Sequence, residues 1–274
     1  MSQLCIGTAN FGTKYGLDNT KINDIDLFEI IRVANTWNVL TIDTSFEYSN
    51  SHDNLNKVIN ENMVVNSKIF LEQNSCFSTV KKKITDFNKS SPSKIYSLLL
   101  HNQNDAIQPE KITLMKKLKS EGVVDKIGAS FYDLHVLKNA LDIWTPDIVQ
   151  VPINPFNLDF ISGNFLKKLK RKNIKIFARS VFLQGLIVKE FNSIDIKLKK
   201  ELVKWFNYCK SKSIHPVKGC LDFCKSINEI DFIIVGVQDA EDLKQIIEYY
   251  NQPIILNHQI ILRKKYKKVD LRKI

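Results

Sequence analysis

Asp43 and Tyr48 stand five residues apart in the stretch TIDTSFEYSN. The apolar run Val39-Leu40-Thr41-Ile42 ends on the carboxylate, and the phenol follows just beyond it. An unpaired buried charge is expensive, so a carboxylate in that place serves either as a strand-end cap or in chemistry. Other apolar runs end in the same manner: in Gly7-Thr8, near Asn74, in His101, in Ser130, on Gln150, in Arg179-Ser180 and in Gly236. A carboxylate, a phenol and an imidazole are groups that hold and move protons. Any one of these residues is explained as a cap or a turn former. The set is not, because polar groups at so many strand ends converge on one mouth.

The elements that must position them alternate. Short apolar runs read as strands at Leu4–Gly7, Val39–Asp43, Lys68–Glu72, Ile95–His101, Lys126–Ser130, Ile148–Pro152, Lys175–Arg179 and Phe232–Gly236. Helical periodicity lies between them, clearest at Ile25–Asn35, in ITLMKKLKSEG ending on Gly122, in NFLKKLKRKN from Asn164, in IKLKKELVKWFNYCKSK from Ile196, and in AEDLKQIIEYY from Ala240. Asn23 or Asp24 and Asp239 are cap-type residues at helix starts, and Gly122 reads as a stop. Near-continuous apolar runs suit strands covered on both faces. Eight such strand-helix units predict an α/β fold, a (β/α)8 TIM barrel occupying residues 1–274 as a single domain. The competing doubly wound sheet announces a glycine-rich turn after its first strand, and GTANFGTKYG is not GxGxxG with a helix behind it.

The chain of 274 residues is 44% hydrophobic and 25% charged, ordinary for a soluble globular protein. No apolar run reaches the ~20 residues of a membrane helix, and the first residues, MSQLCIGTANFG, do not read as a signal peptide. The expected compartment is the cytoplasm. Five cysteines without a CxxC pair do not make a disulfide framework. Cys220 and Cys224, four apart on a probable helix near His215, read as plain thiols with no second ligand pair for a metal. The net charge of +11 comes from lysines scattered over helix faces, without interleaved aromatics, which argues against nucleic acid as partner. The one dense basic cluster is ILRKKYKKVDLRKI at the C-terminus.

Seven segments in order, GTANFGTKYG, IDTSFEY, LLLHNQND, DKIGASFYDLHVL, DIVQVPIN, FARSVFLQGLI and IIVGVQDAEDL, resemble the aldo-keto reductases, and the likeness runs from residue 4 to about 247. The resemblance implies a (β/α)8 enzyme that reduces a small-molecule carbonyl with a nicotinamide cofactor. It implies Tyr48 as proton donor, His101 as the group orienting the carbonyl oxygen, and Asp43 behind them, paired with a lysine at the end of the third strand. With that strand read as SKIFLEQNSCF, the lysine position falls on Asn74 and Lys68 falls at the strand's start, at the opposite end of the barrel. Asp43 is then expected to lack its cation, and any turnover to be slow and biased toward reduction. Ser49 after the tyrosine, Ser51-His52 and Ser130-Phe131 also depart from the family pattern.

The resemblance further implies that Ser130 and Gln150 hold the nicotinamide carboxamide, and that Arg179 stacks on the ring, reaches the pyrophosphate or forms an ion pair at the barrel mouth. The SVFLQG loop, with Ser180, Leu183 and Gly185, would wrap the pyrophosphate, and Thr8 joins the same wall. The turn from Gly236 through Gln238 to Asp242 would meet the adenosine half. The cofactor is NADP(H) by family habit, with NAD(H) the rival because Asp242 and Asp239 repel a 2′-phosphate. Phe11, Tyr15, Phe46, Phe131, Phe156 and Asn102 are candidate walls for a sugar or an aromatic aldehyde. Three readings stand at this level: a carbonyl reductase, a barrel of the same ancestry that binds a ligand or partner without turnover, and a polyanion-binding protein.

Overall fold

The computed structural model describes residues 2–12, 22–73, 75–187, 196–264, 266 and 268. Eight parallel strands close into a barrel in chain order. They are β1 (Gln3–Gly7), β2 (Thr41–Asp43), β3 (Val64–Ile69), β4 (Ile95–Leu100), β5 (Lys126–Ser130), β6 (Ile148–Pro152), β7 (Lys175–Arg179) and β8 (Phe232–Gly236). The ring is sealed by β1 pairing with β8 from Gln3↔Phe232 to Gly7↔Gly236. Around it lie α1 (Asp24–Thr36), α2 (Ser51–Asn56), α3 (Phe77–Ser90), α4 (Pro109–Ser120), α5 (Leu134–Ile143), α6 (Phe165–Arg171), α7 (Ile196–Ser211), α8 (Pro216–Lys225), α9 (Ala240–Asn251) and α10 (His258–Lys264). No helix of the described residues is long and apolar enough to cross a membrane.

Local chemistry sets the helix ends. Asn23 caps α1 by accepting from the Asp26 amide, and Asp239 caps α9 by accepting from the Asp242 amide. Gly122 follows α4 at φ +67°, a conformation that costs glycine nothing.

Two apolar layers divide the interior. The larger lies between the strands and the helices and contains Ile6, Ile42, Val65, Leu98, Leu100, Ala129, Val149, Val151, Ile176 and Val235. The smaller consists of Cys5, Leu99, Ile148, Phe177 and Ile234. These five belong to five strands and pack together apart from the outer layer, so they fill the barrel itself. Side chains alternate along a strand, so the next inward residue on each is Gly7, His101, Gln150, Arg179 and Gly236. The sequence thus supplies apolar residues in the middle of the barrel and polar ones at its C-terminal rim.

Seven of the eight expected strands coincide with observed ones to within two residues at either end. The third does not: β3 is Val64–Ile69, not Lys68–Glu72. The strand is polar because its side chains are paired inside the barrel. Asn66 Nδ2 donates to the Ile42 carbonyl at 3.1 Å, and its Oδ1 accepts from Ser97 Oγ at 2.6 Å. The apolar stretch that follows leaves the sheet, and Phe70 there is exposed.

Candidate active site

That displacement puts Lys68 at the C-terminal end of β3, and its side chain is 2% exposed. Its Nζ donates to Asp43 Oδ2 at 2.7 Å and lies 5.1 Å from the centre of the Tyr48 ring. The expectation that Asp43 lacks a cation, and that Lys68 lies at the far end of the barrel, is therefore corrected. Asn74 itself falls outside the described residues. The missed signal was Val64-Val65, two β-branched residues that open the strand. An apolar-run criterion passed over it because Asn66, Ser67 and Lys68 interrupt the run.

From Asp43 a chain of hydrogen bonds crosses the barrel mouth. Gln150 Nε2 donates to Asp43 Oδ1 at 2.7 Å, and Ser130 Oγ donates to Gln150 Oε1 at 3.2 Å. Arg179 Nε donates to Ser130 Oγ at 3.3 Å. Gln150, expected as a bidentate amide for a ligand, thus has each end of its amide already engaged within the protein. The Arg179 guanidinium also donates to Ser180 Oγ and to the Phe131 carbonyl, and it lies 3.7 Å above the Tyr132 ring. Among the described residues its partners are neutral oxygens and a π face, not an acid.

These groups open onto a cavity of about 280 Å³ at the rim. Asp43, Tyr48, His101, Ser130, Gln150 and Arg179 line it, as do Thr8, Ser180, Gly185, Gly236, Gln238 and Asp242. Of the expected site residues, Leu183 is absent from the wall: its side chain is buried, and the loop reaches the cavity through its neighbours Phe182, Gln184 and Gly185. Thr8 accepts or donates to Ser51 Oγ at 2.9 Å. Gly12 allows the β1–α1 loop to press on the Tyr48 loop, since a Cβ there would stand 2.3 Å from the Ser51 amide. Asp242 accepts from the Gln238 amide, and burial raises its carboxyl above the ordinary range.

Several residues sequence reasoning placed on the mouth are elsewhere. Phe11, Phe131 and Phe156 are buried in the core, because loops over a barrel need their own apolar anchors. Phe46 packs edge-on against His52, Asn102 caps the short turn after β4, and Tyr15 lies outside the described residues. Among the described residues the aromatic wall consists of Tyr48, Tyr132 and Phe182.

Electrostatics follow from burial. The Tyr48 phenol is pushed above its ordinary value, chiefly by burial and against the pull of the Lys68 charge. Burial alone would lower Lys68, but Asp43 and Tyr48, as charges and hydrogen-bond partners, carry it above its ordinary value. The site therefore holds a protonated phenol beside a fixed ammonium and, two rings across, His101, whose imidazole meets Tyr48 edge-on at 5.7 Å. A phenol and a cation aimed into a half-enclosed cavity can protonate and stabilise an oxygen that gains negative charge.

Comparisons with known proteins agree with this architecture. An aldo-keto reductase of Bacillus halodurans in its holo form superposes with a TM-score of 0.78 at 15% identity, over 99% of this chain and 95% of that one. A glycerol dehydrogenase of Gluconobacter oxydans gives 0.71 at 15%, covering 98% and 94%. An aldo-keto reductase of Klebsiella pneumoniae in complex with NADPH gives 0.71 at 15%, covering 97% and 92%. Identities this low speak for the fold alone. Curated protein sequences return no match. The model of the aldo/keto reductase family matches residues 3–257, and with nearly the whole chain so covered, this protein belongs to that family.

Proposed function

We propose that the protein reduces a small carbonyl compound, an aldehyde, ketone or open-chain sugar, with NADP(H) or NAD(H). The observation that carries the reading is the buried Lys68–Asp43 pair at the cavity floor, 2.7 Å apart beneath the Tyr48 phenol. Bound at the rim, the nicotinamide cofactor supplies the hydride. Tyr48 donates the proton, and its raised pKa keeps it protonated at neutral pH. Lys68 stabilises the tyrosinate left behind, and Asp43 holds Lys68 in place. His101 meets the carbonyl oxygen from the other side.

The wall suits a dinucleotide. Among the described residues the partners of Arg179 at the cavity are neutral, which leaves its charge for an anion. Gly236 has open space where a Cβ would stand, and the capped start of α9 lies beyond it, a terminus that favours negative charge. The expectation of a barrel without turnover rested on a missing lysine and on the departures at Ser49, Ser51-His52 and Ser130-Phe131; the Lys68–Asp43 pair speaks against the first ground and leaves the others to the turnover test. With five free thiols, we place the protein in the cytoplasm, as its composition suggests.

The test is saturable quenching of tryptophan fluorescence by NADPH or NADH, followed by cofactor consumption over a panel of carbonyls. Tyr48→Phe should bind cofactor as the parent does and lose ~10²–10⁴-fold in reduction. Undiminished reduction by that variant overturns the acid assignment.

A further inference from the structure

Behind His101 stands a carboxylate that the reaction above does not use. Glu47 follows β2 in the loop that ends on Tyr48. Its Oε1 accepts from the Phe70 amide at 2.8 Å, which anchors it to the backbone beyond β3. Its Oε2 accepts from Ser45 Oγ at 2.7 Å and lies 3.1 Å from His101 Nδ1. Ser45 Oγ lies 3.0 Å from the same nitrogen and already accepts from the Glu47 amide. The Ser45 hydrogen has its nearest acceptor in the carboxylate and a second in the Lys68 carbonyl at 3.3 Å, so toward His101 the hydroxyl accepts.

A carboxylate accepts and does not donate. Both groups facing His101 Nδ1 are therefore acceptors, and the hydrogen must be on Nδ1. Burial pushes the Glu47 carboxyl up, but hydrogen bonds from His101, Ser45 and the Phe70 amide outweigh it and hold it below the usual carboxylate range. Glu47 is thus ionised at neutral pH.

We propose that Glu47 is a positioning residue that locks His101 in the Nδ1–H form, so that the neutral ring offers a bare Nε2 lone pair to the cavity. Neutral His101 then accepts a hydrogen bond from a substrate hydroxyl, and it donates to a carbonyl oxygen only as the imidazolium. The site so built favours hydroxylated substrates and makes reduction depend on a protonated ring. Among the described residues the charged or titratable groups around the ring are Glu47, Tyr48 across the edge-on contact, and Asp43, Lys68, Tyr132, Arg179 and Asp242 around the same cavity. Among these, Glu47 is the acid in contact with Nδ1.

The experiment is long-range ¹H–¹⁵N NMR of the histidine rings, on parent protein and Glu47→Gln, at a pH where His101 is neutral. The parent should show the Nδ1–H tautomer. In Glu47→Gln the amide oxygen stays with the Phe70 amide and the amide NH₂ faces Nδ1, so the tautomer should switch to Nε2–H. A parent ring already in the Nε2–H form overturns the proposal, as does an unchanged tautomer in the folded variant. If Glu47→Gln does not fold, the parent tautomer decides alone. Ser45→Ala, which keeps the carboxylate, should keep the parent form; a switch there assigns the lock to Ser45 and overturns the role of Glu47.

The kinetic consequence rests on the reductase reading. The fall of kcat/KM for reduction as His101 loses its proton should vanish in Glu47→Gln, whose neutral ring donates. A uniform loss at every pH, with no change of profile, signifies a merely structural residue and overturns the proposal. Because the tautomer is read without turnover, an inactive protein whose tautomer switches sinks the reductase reading and leaves the lock standing.

Discussion

Two buried lysine–aspartate pairs in this molecule have nearly the same geometry and different surroundings. Lys218 and Asp222, one turn apart on α8, meet at 2.8 Å with side chains 5% and 0% exposed. Lys68 and Asp43, on adjacent strands, meet at 2.7 Å with side chains 2% and 7% exposed. Neither distance nor burial separates them. Their other partners do. Asp222 accepts from the amides of Ile255 and Leu256, and Lys218 donates to the Pro253 carbonyl, so that pair staples the segment before α10 onto the barrel. The remaining bonds of Asp43 and Lys68 run to side chains, Gln150 and Tyr48, that line the cavity. A buried pair that spends its bonds on backbone is architecture, whereas one that spends them on side chains facing a cavity is poised for chemistry.

Breaking each pair in turn gives the largest expected effects. Lys218→Met leaves Asp222 charged, dry and without its cation, and should cost about 3–5 kcal/mol of stability in urea unfolding. Replacing both partners, as Lys218→Met with Asp222→Leu, removes the stranded charge but takes the acceptor from the Ile255 and Leu256 amides, so it should recover only part of that loss. Lys68→Met also strands a carboxylate, but Asp43 borders the cavity and keeps Gln150, so its stability cost should be clearly smaller. Its loss of carbonyl reduction should be ~10²-fold or more, and adding Asp43→Leu should restore none of it. Equal stability losses from the two lysine changes, or reduction rescued by the double apolar variant, break the distinction.

The sequence made one of these pairs legible and hid the other for related reasons. Lys218 and Asp222 are at the i, i+4 spacing that any helix brings together, once PVKGCLDFCK is taken as a helix. Asp43 and Lys68 are 25 residues apart and meet only through the register of β2 on β3, in which Asp43 faces Asn66. Apolar runs found seven strands because those strands are apolar on both faces. They failed on β3, whose inward side chains are Asn66 and Lys68. A polar strand is visible only to a reader who already knows that its partners, Asp43 and Ser97, are waiting on the neighbouring strands. The rim residues were legible because a strand end is a local property. The aromatic walls were not, because a phenylalanine that anchors a loop and one that faces a cavity look alike in sequence, and Phe131 and Tyr132 differ only in which way the chain turns.

A third titratable group, half-buried, sharpens the comparison: among the described residues it has no direct countercharge. His52 accepts from or donates to Ser67 Oγ at 3.1 Å and is wedged against Phe46 and Phe87. Burial lowers it to about 4, outweighing the pull of Asp53 and Glu47. Its folded value lies below the unfolded ~6.5, so the unfolded chain takes up the proton first as pH falls. The contribution to stability is whole above ~6.5 and lost as pH drops toward 4. The full swing is about 3 kcal/mol. His52→Phe should flatten the difference in unfolding free energy between pH 7 and pH 4.5, and parallel curves for parent and variant sink the assignment.

The smallest effect belongs to the neutral counterpart of the site pair, two residues down the same strand. Asn66 Oδ1 accepts from Ser97 Oγ at 2.6 Å inside the barrel, where both residues are buried. Ser97→Ala removes the donor and leaves that oxygen dry, while Asn66 Nδ2 keeps the Ile42 carbonyl. The cost is that of one unsatisfied buried acceptor, about 1–3 kcal/mol, with no charge stranded. Unfolding of Ser97→Ala should therefore fall between the parent and Lys218→Met. Because the contact lies one inward layer below Asp43 and Lys68, carbonyl reduction by the folded variant should stay within a few-fold of the parent. A loss of turnover as large as that of Lys68→Met means that the polar interior of β3 acts as one unit, and that the boundary drawn between architecture and chemistry lies lower in the barrel than the cavity floor.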